Sequence, residues 1–348
     1  MKAAVYKGPA DIVIEEVEQP RIGYQDILVK VCACGICGSD LHTYKDGLYT
    51  EPGQIMGHEF SGEVVQVGKG VLNIKNGDRI TAIPLVGCRN CHMCARGLYY
   101  LCLSKFGRTI AYGLPGAFAE YVRVPDAVLN RNVYGIPDRI SYEEAALIEP
   151  LSTGLHAVRL AQPDIAETAL ILGAGPIGLC LLQVLRSAGP STIIVSEISD
   201  KRLGMAKKLG ADLVVNPKVE KLAELVTQIE GIDTASHGIN VVIDCVGKEA
   251  TFKQGFDMVS PKGTLVLVGL YGNAVPVDLT FVVQNEVRVV GVFSYHDEFR
   301  QSIRLIQTGK VDVKSLISHR FPLGDTKHAF DVQCDAEESL KVLIIPNL

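Results

Sequence analysis

From about residue 150 the chain alternates short, almost uninterrupted apolar runs with helical stretches, and this alternation limits the fold more than any other feature. The runs are ALILG (169–173), TIIVSE (192–197), DLVVN (212–216), NVVIDCV (240–246), TLVLVG (264–269) and VRVVGV (287–292). Segments such as GLCLLQVLRSAG and DKRLGMAKKLG separate them. A strand covered on both faces shows no polar side, so it reads as continuous Val, Ile and Leu. Helices between such strands imply parallel pairing. Six strands complete a doubly wound α/β sheet. The residues before about 150 differ. KAAVYK, DILVKVCA, GEVVQVG and DRITAIP read as short β segments broken by Gly, Pro, Asn and Asp, with little helix. After about residue 293 the tail holds one helical stretch, DEFRQSIRLIQTGKV, and two short strand-like runs, HRFPL and KVLIIP. At 348 residues, two domains are expected.

The first βα turn carries a motif. Residues 171–178 read ILGAGPIG, in which Gly173, Gly175 and Gly178 match G-x-G-x-x-G, with Pro176 and Ile177 between the second and third. The match gains meaning from its place, after an apolar strand and at the opening of a helix. The glycines permit a tight turn, close approach of a pyrophosphate and close strand–helix packing, and the helix N-terminus offers free N–H groups to phosphate. Glu197 closes the next run, 22 residues after Gly175. A carboxylate there accepts hydrogen bonds from ribose hydroxyls and repels a 2′-phosphate, which predicts NAD rather than NADP. Lys201 and Arg202 follow closely and read either as a solvated helix start or, for Arg202, as a contact to the adenine.

Seven of the ten cysteines fall between Cys32 and Cys102. The N-terminal sequence MKAAVYKGPADIVIEE has no apolar signal-like stretch, so a reducing, cytoplasmic setting is expected and clustered thiols point to metal rather than disulfides. Cys88, Cys91, Cys94 and Cys102 form C-x2-C-x2-C-x7-C. Four thiolates on one short lobe close a tetrahedral shell around zinc and leave no place for substrate, so the site reads as structural. An iron–sulfur cluster is the competing chemistry. Cys32, Cys34 and Cys180 read as small buried residues.

Further candidates are scattered: Cys37 in CGICGSDLH, His58 and Glu59 in GHEFSGEVVQVG, and Glu149 in LIEPLSTGLHA. Residues 57–68 match G-H-E-x2-G-x5-G at Gly57, His58, Glu59, Gly62 and Gly68. With CGICGSDLH, the four-cysteine lobe and GAGPIG, the chain resembles the zinc-dependent medium-chain dehydrogenase/reductases (the alcohol dehydrogenase family) over its whole length. The resemblance implies a GroES-like, β-rich catalytic domain (1–153 and 293–348) and a Rossmann domain (154–292). It implies two zinc ions per chain. Cys37 and His58 hold the catalytic one with an acidic ligand from Glu59 or Glu149, one direct and the other through water or in exchange. Such zinc keeps a place for the alcohol oxygen and lowers its pKa, and hydride passes to the nicotinamide. Ser39 takes the alcohol proton, and His42 passes it on by way of the cofactor ribose.

CGSDLH, IEPLSTGLHA and HRFPL are similar to the sorbitol, or polyol, branch, which implies oxidation of a secondary alcohol of a polyol or vicinal diol to a ketone. The chain departs from sorbitol dehydrogenases at Phe293, Ser294 and Tyr295, where F-R-Y is usual, and at Thr43, where Tyr is frequent. L-threonine, 2,3-butanediol and hexitol-phosphate dehydrogenases are the alternatives. Zinc-free quinone reductases share the fold but lack the ligand set. Composition excludes other classes. With 47% hydrophobic and 21% charged residues the chain is globular, and its net charge of −5 gives no reason to expect nucleic acid or an anionic membrane. The uncharged run Thr168–Leu185 contains the Gly-rich turn and reads as strand, turn and helix rather than a membrane span. The remaining expected partners are a small-molecule alcohol and further copies of the chain, as a homodimer or homotetramer.

Overall fold

A computed structural model describes residues 1–226 and 238–348. The chain divides into two compact units, Met1–Ser152 with His296–Leu348, and Thr153–Tyr295.

In the unit Thr153–Tyr295 all six apolar runs are strands of one parallel sheet. Its spatial order is Leu213–Val215, Thr192–Ser196, Thr168–Leu172, Ile239–Asp244, Val259–Leu267 and Arg288–Gly291. Numbered along the chain this is 3-2-1-4-5-6, the doubly wound order. Every residue of Thr168–Leu172 is buried, as the continuous apolar run requires. Leu170, Leu172, Ile194, Val242 and Leu265 lie in one apolar cluster with Phe252 and Met258 of the helix Glu249–Met258. The first and fourth strands, Thr168–Leu172 and Ile239–Asp244, meet where the order reverses, and that is where such sheets bind ligands beyond the strands' carboxyl ends.

The other unit is built on a seven-stranded sheet. Its path runs Ile317–Pro322, Lys341–Ile345, Ile27–Gly35, Glu59–Val67, Arg79–Ala82 and Val133–Gly135, and Tyr121–Val124 also pairs with Ile27–Gly35. The two C-terminal runs therefore sit in the sheet of the N-terminal half. The end of Ile27–Gly35 lies between two functional neighbours, since Gly35 pairs with Glu59 on one side and Leu343 on the other. A Cβ on Gly35 would stand 2.1 Å from Glu59 Oε2, so only glycine leaves room for that carboxylate. Ile27, Val29, Val31, Phe60, Phe118, Phe330, Val342 and Ile344 form the core.

One helix was not legible in the irregular β pattern. Gly38–Asp46 begins at Cys37, whose N–H donates to Asp40 Oδ2 at 2.9 Å, and ends at Gly47 in a left-handed turn (φ 67°). Its sequence GSDLHTYKD has too few apolar residues to show a helical stripe; the capping carboxylate and terminal glycine define it instead. A longer helix, Ile148–Ala161, carries Glu149 in its first turn. Among the described residues no helix is long and apolar enough to cross a membrane.

Candidate metal centres and dinucleotide site

The lobe VGCRNCHMCARGLYYLC gathers its four thiols. Cys88 Sγ and Cys94 Sγ are 4.0 Å apart, Cys91 Sγ and Cys102 Sγ 3.9 Å, and all four lie within 4.8 Å of one another. These are too long for disulfides. They are close to the ~3.8 Å edge of a tetrahedron with zinc–sulfur bonds of about 2.3 Å. Backbone N–H groups point at the sulfurs: Cys91 to Cys88 Sγ at 3.3 Å, Cys88 and Ser104 to Cys102 Sγ at 3.3 and 3.4 Å. Such donors stabilise thiolate. Backbone amides lower the Cys91 thiol to about 6, whereas burial raises Cys94 to about 12. Tyr99 and His296 brace the lobe, Tyr99 Oη donating to the His296 carbonyl at 2.8 Å and the His296 ring lying 3.0 Å from the Gly97 carbonyl.

A second cluster brings Cys37, His58 and Glu59 together, again with ligand atoms within 4.8 Å. Cys37 arrives as the residue before the helix, and His58 and Glu59 at the start of the strand Glu59–Val67. Asp40 and His58 are both buried, with Asp40 Oδ1 3.8 Å from His58 Nδ1, and neither atom has a hydrogen-bond partner. Burial opposes a charge on His58, yet the Asp40 carboxylate, Cys37 and Glu149 push its pKa well above the ordinary value. A pocket of thiol, imidazole and carboxylates that favours added positive charge, with unpaired buried acceptors, is suited to a divalent cation such as zinc. Glu149 is buried and contributes to this negative potential without joining the tight group of three.

Three neighbours were not singled out in the sequence. Lys341 is buried and donates to both oxygens of Glu59 at 2.9 and 2.7 Å and to the Ile36 carbonyl at 2.8 Å. Its only sequence signal is a cation in the apolar run KVLIIP. Asp40 could have been found as the carboxylate three residues after Cys37. Tyr112 donates to Ser39 Oγ at 2.6 Å, and its ring lies 5.5 Å from that of His58; no pattern marks it. His42 is three residues after Ser39 on the same helix. It is about half exposed, and its Nδ1 is 3.5 Å from Asp46 Oδ2.

In the parallel-sheet unit Gly175 caps the helix Pro176–Ala188, and Pro176 occupies its first turn, where its missing N–H is no loss. A Cβ on Gly178 would stand 2.0 Å from the Gly173 carbonyl oxygen, so strand and helix meet there only through glycine. Ile177 lies in the same first turn. Glu197 is buried. Its Oε2 accepts from the Ala174 N–H at 2.8 Å, and its Oε1 from Ile198 and Ser199 at 2.7 and 3.1 Å. The acid is thus pinned to the Gly-rich turn. The Arg202 guanidinium reaches over that turn, 3.8 Å from where a Gly175 Cβ would stand.

A doubly wound unit with a Gly-rich turn, joined in one chain to a β-rich unit holding two metal-ligand clusters, defines a zinc-binding dehydrogenase. The comparisons agree. Residues 23–138 match the alcohol dehydrogenase GroES-like domain and residues 176–308 the zinc-binding dehydrogenase domain. The sorbitol dehydrogenase of Bacillus subtilis (strain 168) is 36% identical, covering 100% of this chain and 98% of that protein. The L-threonine 3-dehydrogenase of Pyrococcus abyssi is 37% identical over 88% of this chain and 87% of its own. A crystal structure of a zinc-binding dehydrogenase target from Sinorhizobium meliloti 1021, bound to NADP, superimposes with a TM-score of 0.90 at 34% identity, over 99% of both chains. The chain belongs to the zinc-containing alcohol dehydrogenase family and is an oxidoreductase.

Proposed function

We propose that this enzyme oxidises a secondary alcohol of a polyol or vicinal diol to a ketone, with NAD as hydride acceptor. The observation that carries the reading is the group around His58: the Cys37 thiol, the imidazole and the Glu59 carboxylate lie within 4.8 Å of one another, the Glu149 carboxylate is buried and adds to the negative potential at His58, and among the described residues no second thiol joins the group. Carboxylates are harder and more labile ligands than thiolates, which suits a centre that must accommodate two neighbouring substrate oxygens. Cys37 and His58 hold the metal. Lys341 engages both oxygens of Glu59, which favours Glu149 as the persistent acidic ligand and Glu59 as the exchanging one. Zinc, when bound there, supplies a Lewis acid that makes the alcohol easier to deprotonate. Cys88, Cys91, Cys94 and Cys102 hold a second, structural zinc.

Ser39 receives the alcohol proton, and His42, on the same helix and nearer solvent, carries it outward. The unit Thr153–Tyr295 binds the dinucleotide, with phosphates at the turn Gly173–Gly178 and the adenosine ribose at Glu197. The carboxylate at 197 favours NAD; Arg202 beside the turn, and the NADP in the Sinorhizobium structure, are the features that favour NADP. The likeness to L-threonine 3-dehydrogenases supports a second substrate reading, a β-hydroxy amino acid.

None of the ten cysteines is paired in a disulfide, which suits the reducing cytoplasm. We place a homodimer contact at the open edge strand Arg288–Gly291, where Val289 is 45% exposed and the preceding helix Leu279–Gln284 shows Leu279 and Val283 at 70% and 76%. An unpaired edge beside exposed apolar side chains is a surface that a second copy can cover. The test of the function is metal depletion. Dialysis against a chelator should abolish NAD-dependent polyol oxidation, and Zn²⁺ should restore it; activity that survives loss of both zinc ions would end the proposal.

A further inference from the structure

Tyr112 has no part in the reaction as set out above, yet it touches the residue assigned to take the proton. Its hydroxyl donates to Ser39 Oγ at 2.6 Å. Its ring lies 5.5 Å from that of His58 at an interplanar angle of 51°, so the phenol is held against the candidate metal ligand while its oxygen reaches the serine.

The backbone that presents this side chain is unusual. Ala111, fully buried, has φ +77°, a conformation that costs a residue with a Cβ of order 1 kcal/mol or more. Gly113, on the other side, has φ +95°, and a Cβ there would stand 2.7 Å from the backbone of Gly107. Crossed hydrogen bonds fix the turn, Ala111 N–H to the Leu114 carbonyl and Tyr112 N–H to the Thr109 carbonyl, both 2.9 Å. Strain held in place by its surroundings, with one side chain aimed at a reactive group, is an arrangement found at functional sites.

We infer that Tyr112 is a positioning residue that sets the direction of the Ser39 hydroxyl. The inference rests on the relay role proposed for Ser39. A serine hydroxyl has one hydrogen and two acceptor sites, and it rotates freely unless a partner fixes it. With Tyr112 donating, one acceptor site is filled. The other is left for the proton of the substrate alcohol, and the serine's own hydrogen points away to the next acceptor. The stoichiometry is R₂CHOH + NAD⁺ → R₂C=O + NADH + H⁺. The C–H bond breaks and its electron pair passes with the hydrogen to the nicotinamide. The O–H proton moves to Ser39 Oγ as the serine's original proton leaves outward, so the serine ends unchanged. Without Tyr112 the hydroxyl spends part of its time turned so that its hydrogen faces the alcohol, and no proton can then be accepted.

The test is a double-mutant cycle on the zinc-loaded enzyme, with Tyr112→Phe, Ser39→Ala and the pair, followed by single-turnover NADH formation in H₂O and D₂O. Phenylalanine keeps the ring against His58 and removes only the hydroxyl. Tyr112→Phe should keep two zinc ions per chain, lower the rate about ten-fold, the scale of one well-placed hydrogen bond to a reacting group, change the alcohol KM less than about three-fold, and raise the solvent isotope effect. In the Ser39→Ala background the same change should have almost no effect. An undiminished Tyr112→Phe rate, an equal loss in both backgrounds, or a loss confined to KM would overturn the inference while leaving the serine relay standing. Wild-type rates for Ser39→Ala would overturn the relay and the inference together.

Discussion

At the scale of single residues, the account turns on buried charge. Glu59 and Lys341 face each other with exposures of 1–2%. Removing one partner of such a pair leaves the other charged and unsolvated, at a cost of about 3–5 kcal/mol. Lys341→Met should therefore lower the unfolding free energy of zinc-free protein, read from urea titration, by about that amount, and a loss below about 1 kcal/mol would mean that the pair is not charged. His58→Ala should remove one zinc ion per chain and reduce turnover at least a thousand-fold while NAD still binds, as measured by metal analysis and cofactor fluorescence. Retained turnover would separate His58 from the chemistry. The candidates Cys37, His58 and Glu59, which the fold brings within 4.8 Å of one another, stood out in the sequence by their place in CGICGSDLH and GHEFSGEVVQVG. The partners of those ligands did not. Lys341 lies 282 residues from Glu59, and the strand Ile27–Gly35, which pairs with Glu59–Val67 on one side and Lys341–Ile345 on the other, brings the two ends together. Tyr112 belongs to a turn whose conformation depends on positive φ at Ala111, which alanine does not advertise.

At the scale of elements, legibility follows the apolar run. Thr168–Leu172, buried at every residue, could be read directly, and Arg288–Gly291 showed the same kind of run although it is largely exposed. The helix Gly38–Asp46 could not, since its identity lies in caps rather than in an apolar stripe. The cysteine lobe Cys88–Cys102 has only a four-residue helix, His92–Ala95, and one turn of 3-10 helix, Tyr99–Leu101, and its four thiols lie within 4.8 Å of one another, so a metal bound there would tie its ends together. Cys91→Ser should lower the zinc content by one ion and lower Tm; an unchanged zinc count would remove the structural site. A second element-scale link joins the helix Tyr142–Ala146 to the strand Ile317–Pro322, where Arg320 makes a two-pronged contact with Glu143 at 2.7 Å. The hydrogen bonds from Arg320 hold the Glu143 carboxyl below its usual value. The sign follows. A depressed folded-state pKa gives stability that is complete above the ordinary carboxylate range and is lost as pH falls through the lowered value. Both side chains are about one-third exposed, so screening limits the contribution to roughly 1 kcal/mol at most. Arg320→Ala should lower stability slightly at pH 7, and by less as pH falls below the ordinary carboxylate range, in urea titrations. An effect that grows on acidification would contradict the assignment.

At the scale of the whole molecule, the sequence showed which family of folds could form, and the two units follow from two kinds of periodicity. Association is less visible in sequence, because an edge strand and an interior strand of a parallel sheet look alike until their neighbours are known. Among the described residues the strand Arg288–Gly291 pairs on one side only. Val289→Lys should convert the assembly to smaller species in light scattering, and a wild-type enzyme that is monomeric at micromolar concentration would count against the edge contact. The central claim, a carboxylate-bearing zinc centre that oxidises polyols with NAD, is tested most directly by steady-state kcat/KM for the zinc-loaded wild-type enzyme on ethanol, 2-butanol, 2,3-butanediol, sorbitol and L-threonine. The account predicts that 2,3-butanediol or sorbitol exceeds ethanol by at least about a hundred-fold, a difference of some 2.7 kcal/mol in transition-state binding. A preference for ethanol would contradict it.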